Sequence, residues 1–325
     1  MPLPGLADTP CIMRNMKSPI PMLMSVCALF TGQACAEQAP LCPPTEGVAL
    51  QVLGSGGPIA DDARASSSYI VWVDGKSRVL IDAGGGSFLR FGEAGASFND
   101  LDFVGLSHFH ADHSADFIAL LKSGNFANRE RPLTVSGPSG GSRFPGLDAF
   151  LNGNLNPENG AFKYLSGYLD GSGGLPQLDA REVSEDAYAD KDMLHYTSDI
   201  SVFAQHVPHG IVPALGFRVD VHGKSIVFSS DQNGSDLEFV DFAKDATLLV
   251  MHMPIPEGAG DAAKQLHAIP SRIGEIASAA SADQLLLSHF MARSLRNLEE
   301  NVRIVREGYE GELLVADDLG CFMLD

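Results

Sequence analysis

Short apolar runs recur along the chain, and most of them end in Gly, Ser, Asp or His. Their length and their β-branched and aromatic content predict strands at Val48–Leu53, Tyr69–Val73, Arg78–Ile81, Phe103–Leu106, Leu133–Val135, Ser201–Phe203, Gly216–Val221, Ser225–Phe228, Leu248–Met251, Leu285–Leu287 and Leu313–Ala316. Helical periodicity occurs in Ala115–Lys122, Ser271–Ala280 and Leu295–Arg306. Early hairpins, followed by strands that alternate with helices, predict an α/β architecture with helices outside packed sheets.

The stretch from Gly137 to about Ser198 breaks this pattern. It is rich in Gly, Asn and Asp and only weakly periodic. We interpret residues 137–198 as an insertion or lid over a site, because the stretch lacks the apolar content of a second domain. The sequence therefore predicts one folded domain over residues 37–325.

The N-terminal segment has the pattern of an export signal. A weakly basic start at Lys17 precedes an apolar run, which ends in the small-x-small sequence Ala34-Cys35-Ala36. We predict a signal peptide over residues 1–36, with Met16 as an alternative start, and a periplasmic or secreted protein. The apolar run is shorter than the ~20 residues of a spanning helix, so no stable membrane anchor is expected. A disordered or anchored tail is the alternative.

Acidic residues dominate the charge. The chain has 22 Lys and Arg against 41 Asp and Glu, a net charge of −19. Removal of residues 1–36, which hold two basic residues and one acidic residue, gives −20. Such a surface repels polyanions, so nucleic acid is not expected as a partner. Of the cysteines, Cys42 and Cys321 remain, and an oxidising compartment would allow them to form a disulfide. Two free thiols are the alternative.

The densest chemical signal follows a predicted strand. Three imidazoles and a carboxylate fall within six residues, in the motif His108-Phe109-His110-Ala111-Asp112-His113. On a tight turn, side chains at i and i+2 converge on one metal, while Asp112 and His113 face a second. Imidazole and carboxylate are ligands that zinc prefers. The sequence therefore predicts a divalent metal site.

The motif, with Asp82 in the earlier Leu80-Ile81-Asp82-Ala83-Gly84, resembles the metallo-β-lactamase superfamily. Further matches follow in order at His209 in Pro208-His209-Gly210, at Asp231 after Phe228, and at His289 in Leu287-Ser288-His289. The resemblance covers roughly Val48 to Asp325. It implies an αββα sandwich with the metal site at one edge of the two sheets. Asp82 would support the metal loop without being a ligand.

The resemblance also implies a ligand set for two divalent ions, and the ligand types favour zinc. One ion would take His108, His110 and His209, and the other Asp112, His113 and His289, with Asp231 bridging them. Two ions ~3.5–4 Å apart can lower the pKa of a bound water, and the resulting hydroxide would attack an ester. Asp112 is thus predicted both as a ligand and as a catalytic residue.

Two further histidines match positions near the leaving group in ribonuclease Z-like members. His252 ends a predicted strand, and His267 follows it. His267 is predicted to protonate the departing oxygen as a general acid. The chain departs from the family pattern here, because Met253 stands where an orienting Glu is expected and Ala268 follows His267. A loop histidine without chemistry is therefore the alternative for His267.

The flanking motifs resemble both ribonuclease Z and exported bacterial arylsulfatases. Only 21 residues separate His209 from Asp231, and they include just two basic residues, so the basic arm that grips transfer RNA is missing. We therefore predict an exported arylsulfatase that acts on small anionic esters. Its metals would take the place of the formylglycine residue that the commoner sulfatases use. The alternatives are a ribonuclease Z-like phosphodiesterase, another ester or lactone hydrolase, and a non-catalytic metal-binding protein. The sequence leaves the oligomeric state open, with a homo-oligomer allowed.

Overall fold

Two seven-stranded sheets pack against each other in the computed structural model, which describes residue 42 and residues 45–184 and 192–324. The predicted signal peptide lies outside these residues. The first sheet has the order β14-β1-β2-β3-β4-β5-β6. Its strands are β1 (Val48–Gly54), β2 (Ser68–Val73), β3 (Lys76–Ile81), β4 (Phe103–Gly105), β5 (Leu133–Pro138), β6 (Leu178–Val183) and β14 (Cys321–Leu324).

The second sheet repeats this plan, with the order β13-β12-β11-β10-β9-β8-β7. Its strands are β7 (Asp192–Tyr196), β8 (Ile200–His209), β9 (Val212–Val221), β10 (Lys224–Phe228), β11 (Leu248–His252), β12 (Gln284–Ser288) and β13 (Glu312–Val315). In each sheet, antiparallel pairings at one side give way to parallel pairings from β3 or β10 onwards. The carboxyl ends of β3, β4, β10, β11 and β12 therefore lie along the edge where loops can build a site.

Helices cover the outer faces of the sandwich. They are α1 (Ser87–Glu93), α2 (Ala111–Ser114), α3 (Phe117–Gly124), α4 (Leu147–Leu155), α5 (Gly167–Asp170), α6 (Glu238–Phe242), α7 (Asp261–Lys264), α8 (Pro270–Ala279), α9 (Ala292–Leu295) and α10 (Leu298–Gly308). None of the helices that the structure describes is long and apolar enough to cross a membrane.

The side-chain alternation of β1 shows why this layering forms. Val48, Leu50 and Val52 join the apolar cluster shared with the second sheet. Ala49 and Leu53 point the other way, into the cluster that includes residues of α1 and α3. Because successive side chains face opposite sides of a strand, a continuous apolar run can be buried only between two layers. The predicted sandwich of sheets between helices is confirmed.

Every predicted strand is present, but three edge strands were missed. These are β6, β7 and β14. In β6, Asp179 and Arg181 are not buried, and the two side chains pair with each other. An edge strand buries little surface and so carries only a weak apolar signal. The stretch predicted as a lid includes β6 and β7, and its action as a lid stays a prediction.

A disulfide joins the first and the last parts of the described chain. Cys42 and Cys321 form a disulfide with Cα atoms 5.9 Å apart, across 279 residues of sequence. The predicted pairing of these cysteines is confirmed. Cys321 lies on β14 beside Gln51 of β1, so the bond fastens the N-terminal side of the described chain to the first sheet.

Candidate metal centre

The metal-ligand candidates lie where strands end. His108 and His110 follow β4, Asp231 follows β10, and His289 follows β12. His209 is the last residue of β8, which runs in the same direction as β10 because both are antiparallel to β9. Their shared edge therefore gathers residues that are up to 181 positions apart. The structure brings together all seven predicted ligands: His108, His110, Asp112, His113, His209, Asp231 and His289.

Backbone conformation at this edge is unusual. Asp82, Ser230 and His289 have φ values of 60°, 56° and 53°, in the left-handed region that non-glycine residues rarely adopt. Such conformations cost free energy and persist where the surrounding structure holds them, often at functional sites. Gly84 is needed for a different reason, since a Cβ there would lie 2.1 Å from the backbone oxygen of Asp112. The tight packing brings the end of β3 against α2.

His108, His110 and His209 form the first cluster. His108 Nε2 lies 3.0 Å from His110 Nδ1. His209 donates a hydrogen bond from Nδ1 to the carbonyl of Leu266, 2.9 Å away. Its Nε2 is buried and has no hydrogen-bond partner among the described residues. A buried imidazole nitrogen without a partner is costly, and a metal ion would satisfy it.

Asp112, His113 and His289 form the second cluster. His113 Nε2 lies 3.0 Å from His289 Nε2, which in turn lies 3.2 Å from Asp112 Oδ2. All three side chains are buried. A carboxylate and two imidazoles in a buried pocket are a donor set that a divalent cation fits.

Asp231 lies between the two clusters. Its Oδ2 is 3.7 Å from His209 Nε2, and its Oδ1 is 3.5 Å from His289 Nε2. The side chain is almost fully buried. Burial alone would raise the pKa of Asp231, but the imidazoles of His289 and His267 hold it well below its usual range. The carboxylate is therefore ionised and can face both clusters at once.

Asp82 supports the second cluster from behind. Its Oδ2 lies 2.7 Å from His113 Nδ1, and it accepts hydrogen bonds from the backbone and hydroxyl of Ser107. Burial would lower the pKa of His113, but the carboxylates of Asp82 and Asp112 raise it well above its usual value. A carboxylate behind a ligating histidine fixes the ring and raises its basicity. This matches the supporting role that the family resemblance implies for Asp82.

His267 lies beside the clusters, and His252 lies behind them. His267 Nδ1 is 3.8 Å from Asp231 Oδ2 and has no hydrogen-bond partner within the described part of the chain. Burial lowers the pKa of His267 to about 4, so the ring is neutral near pH 7. Met253 is fully buried in the apolar core and supplies no orienting carboxylate. His252 is bonded to Asp231 through Nδ1, at 2.8 Å.

Sequence reasoning missed three contacts at the site. The ring of Phe144 lies edge-on to His110, with centroids 5.7 Å apart. Leu266 contributes only its carbonyl, to His209, and Tyr69 reaches His252 from the first sheet. Phe144 lies within residues 137–198, and nothing in the local sequence pattern marks this residue as a contact of the site. All three contacts join residues that are distant in sequence.

Comparison with known proteins places the chain in a family. The model of the Metallo-beta-lactamase superfamily matches residues 61–270, and the chain belongs to this superfamily. Ribonuclease Z of Mycolicibacterium gilvum is 26% identical over 288 residues, covering 84% of this chain and 94% of that protein. Ribonuclease Z of Haloferax volcanii is 25% identical over 297 residues, covering 82% and 92%.

Solved structures share the fold. Human tRNase Z, short form, has a TM-score of 0.65 at 19% identity, covering 85% of this chain and 99% of that one. Unliganded yeast PDE1 has a TM-score of 0.63 at 11% identity, covering 86% and 100%. The Bacillus subtilis metallo-beta-lactamase fold protein YhfI has a TM-score of 0.62 at 19% identity, covering 85% and 99%. Together with the family match, these likenesses confirm the superfamily and its sandwich fold.

The comparisons correct one prediction and shift another. Because the relatives are ribonucleases, the expectation that nucleic acid is not a partner is wrong. Net charge alone does not exclude a polyanionic partner, because charge averaged over the surface does not describe the field at one site. The relatives also support the phosphodiesterase alternative and lend no support to the arylsulfatase prediction. What is shown for this chain is a metallo-β-lactamase-type hydrolase whose histidine and aspartate clusters fit a metal site.

Proposed function

We propose that this protein hydrolyses phosphodiester bonds with two divalent metal ions, most simply zinc. The observation that carries the proposal is the position of Asp231, whose carboxylate lies within 3.7 Å of imidazole nitrogens of both clusters. A shared carboxylate between two donor sets is the arrangement that a paired-ion site requires. The ribonuclease Z relatives favour a phosphodiester as the bond cleaved.

Each cluster would hold one ion. His108, His110 and His209 would bind the first, Asp112, His113 and His289 the second, and Asp231 both. When bound, the ions supply Lewis acidity, which activates water and offsets charge on the ester. The chain's own groups fix this arrangement, since the Asp82 side chain orients His113 and the Leu266 backbone carbonyl orients His209. Asp112 also contributes negative charge that balances the cations.

His267 remains our candidate for the proton donor to the leaving group. Its ring centroid lies 5.3 Å from that of His209 and 6.3 Å from that of His289, so it borders both clusters. Donation of a proton to the leaving oxygen requires the imidazolium form of His267, so the negative charge of the bound ester would have to raise the lowered pKa of the ring. The missing carboxylate partner means that the ring must be oriented by the substrate or by packing.

The 21 residues between His209 and Asp231 bear on how an RNA strand would bind. They form β9, the turn after it and β10, which pair with each other along their length. An inserted arm does not start from this stretch. Recognition of RNA would therefore use other surfaces, such as the loop around Phe144 beside His110.

Export to the periplasm or medium is a further part of the proposal. The signal-like N-terminal sequence motivates it, and the disulfide between Cys42 and Cys321 supports it. Disulfides persist in oxidising compartments and are rare in the cytosol.

Turnover on three substrates tests the proposal. The purified chain would be loaded with zinc and assayed on bis(4-nitrophenyl) phosphate, 4-nitrophenyl sulfate and a precursor transfer RNA. Turnover of the diester well above that of the sulfate, abolished by a chelator and restored by zinc, is the expected result. Preference for the sulfate would contradict the proposal and support the arylsulfatase interpretation. Cleavage of the RNA would identify it as a substrate class.

A further inference from the structure

We propose that His252 and Tyr69 are positioning residues that fix the carboxylate of Asp231, and that His252 is not itself a metal ligand. The inference rests on the proposed metal site, but it does not depend on which ester is cleaved. The donor atoms of Asp231, His252 and His289 lie close enough together to hold an ion of their own. The inference therefore decides whether His252 is a metal ligand or a positioning residue.

Both ring nitrogens of His252 are already engaged. Nδ1 lies 2.8 Å from Asp231 Oδ1, and Nε2 lies 3.1 Å from the hydroxyl of Tyr69. A histidine binds a metal through a nitrogen that is free of other bonds. His252 would have to give up one of these hydrogen bonds to become a ligand.

The chemistry of the partners sets the direction of these bonds. An ionised carboxylate only accepts, so His252 Nδ1 carries the proton that is donated to Asp231. Nε2 is then the acceptor, and the Tyr69 hydroxyl donates to it. Because the single Tyr69 proton goes to His252, the Ser288 hydroxyl, whose Oγ lies 2.9 Å away, donates to the Tyr69 oxygen. One tautomer of His252 therefore satisfies the whole chain of contacts.

Tyr69 is suited to holding this tautomer. Its side chain is fully buried, and burial raises the pKa of the hydroxyl above its usual value, so it stays a donor at neutral pH. The ring packs against Phe228, with centroids 5.5 Å apart. Tyr69 belongs to the first sheet, whereas His252 and Ser288 end strands of the second. The contacts thus tie the two sheets together directly behind Asp231.

The ring of His252 is also fixed by stacking. Its centroid lies 4.5 Å from that of His289, with the ring planes 14° apart. His252 therefore contacts a ligand of the second cluster through its face and the shared carboxylate through its edge. Outer partners of this kind orient ligands, and their loss typically costs about 10–100-fold in metal affinity or activity.

Zinc affinity of Tyr69→Phe tests the proposal. The substitution keeps the ring and removes only the hydroxyl. The matched control is Tyr168→Phe, since Tyr168 is also fully buried and donates to a backbone carbonyl, that of Leu121 at 2.6 Å, away from the site. Affinity would be measured by competition with a chromophoric chelator, and the melting temperature of each metal-free variant would report general destabilisation.

We expect Tyr69→Phe to weaken zinc binding by about 10–100-fold, with Tyr168→Phe close to wild type even if both melt earlier. Equal zinc affinities for Tyr69→Phe and Tyr168→Phe would overturn the proposal. So would tighter binding by Tyr69→Phe, because that result would mean that Nε2 becomes a ligand once it is free. Absence of zinc binding by the wild-type chain would instead overturn the metal site itself, and with it this inference.

Two substitutions of His252 provide a second check. His252→Asn retains an N–H donor near the position of Nδ1, whereas His252→Leu retains none. A positioning role predicts that the asparagine variant binds zinc more tightly than the leucine variant. Equal losses in both variants, with Tyr69→Phe unchanged, would show that His252 is a ligand.

Discussion

The two clusters use similar donors but have different surroundings. In the first cluster, the imidazoles are supported by uncharged groups, namely the carbonyl of Leu266 and the hydroxyl of Ser107. In the second, Asp112 is itself a donor, and the carboxylate of Asp82 lies directly behind His113. The second cluster therefore has two more negative charges close to its imidazoles.

This difference is visible in the pKa values. Burial lowers the pKa of His108 well below its usual value, with a further contribution from His113. The pKa of His113 is raised instead, because Asp82 and Asp112 outweigh its burial. An environment that favours a proton also favours a cation. We therefore expect the second cluster to bind its ion more tightly and the first cluster to lose its ion first.

Removal of the shared carboxylate should have the largest effect. Asp231→Ala takes a ligand from both clusters, so both ions should be lost. Turnover should fall by more than the ~10–100-fold cost of losing an outer partner. Metal content and diester turnover on one sample would measure this. Asp179→Ala, in an exposed pair with Arg181 on β6, is the control and should behave as wild type. Full activity of Asp231→Ala with one ion bound would contradict the two-metal mechanism.

Removal of one ligand from either cluster should show which cluster holds its zinc more tightly. His110→Ala leaves the second cluster intact, and dialysed protein should keep about one zinc per chain. His113→Ala should keep less, since it also leaves the Asp82 carboxylate buried without its imidazole. Atomic emission after dialysis would give the zinc content. More zinc in His113→Ala than in His110→Ala would reverse the proposed order of the clusters.

A charge change behind the second cluster should have a smaller effect. Asp82→Asn keeps the shape of the side chain but removes the charge that faces His113, so binding of the more tightly held zinc should weaken by about 10–100-fold. Stepwise zinc titration would resolve the two binding events. If Asp82→Asn weakens only the lower-affinity zinc-binding event, the second cluster is not the tighter site.

Substitution of His267 should affect substrates unequally. His267→Ala removes the proposed proton donor and should slow diesters with alkyl leaving groups by about 100-fold or more. Nitrophenyl diesters need no such proton and should change far less. The ratio of the two turnover numbers is the measurement, with bound zinc as the control. The same loss on both substrates would count against the acid role.

The disulfide should have the least effect on chemistry. Cys321→Ser should lower the free energy of unfolding by about 2–4 kcal/mol, since the bond closes a long loop. Zinc affinity and turnover should stay close to wild type, because Cys321 lies on β14 and contributes no donor to either cluster. Denaturant unfolding would measure the stability. Peptide mapping without reductant should show one linked pair in the wild-type protein, and two alkylatable thiols would refute the bond.

Residue spacing alone predicted the site only where its parts are local. The run from His108 to His113 places four donors on one turn, so its spacing alone indicates a metal. His209, Asp231 and His289 were found through the family resemblance, whose motifs occur in order along this chain. The contacts of Tyr69, Leu266 and Phe144 could not be found in this way, because folding joins residues from different layers. The partner prediction failed for a related reason, since it used net charge without positions.

The strands and helices were also predicted only in part. Buried strands such as β1 and β11 have continuous apolar runs and were predicted within a residue or two of their ends. Strands such as β6, with exposed charged positions, have no such pattern. Short helices such as α1 are seven residues long and too short for a periodic signal. Burial on two faces therefore determines how much of each element its sequence reveals.

Anomalous diffraction at the zinc edge from crystals of the zinc-loaded protein would test the central claim most directly. The account predicts two peaks ~3.5–4 Å apart. One peak would lie among His108, His110 and His209 and the other among Asp112, His113 and His289, with Asp231 reaching both. A single peak, or a peak bound to His252, would contradict it.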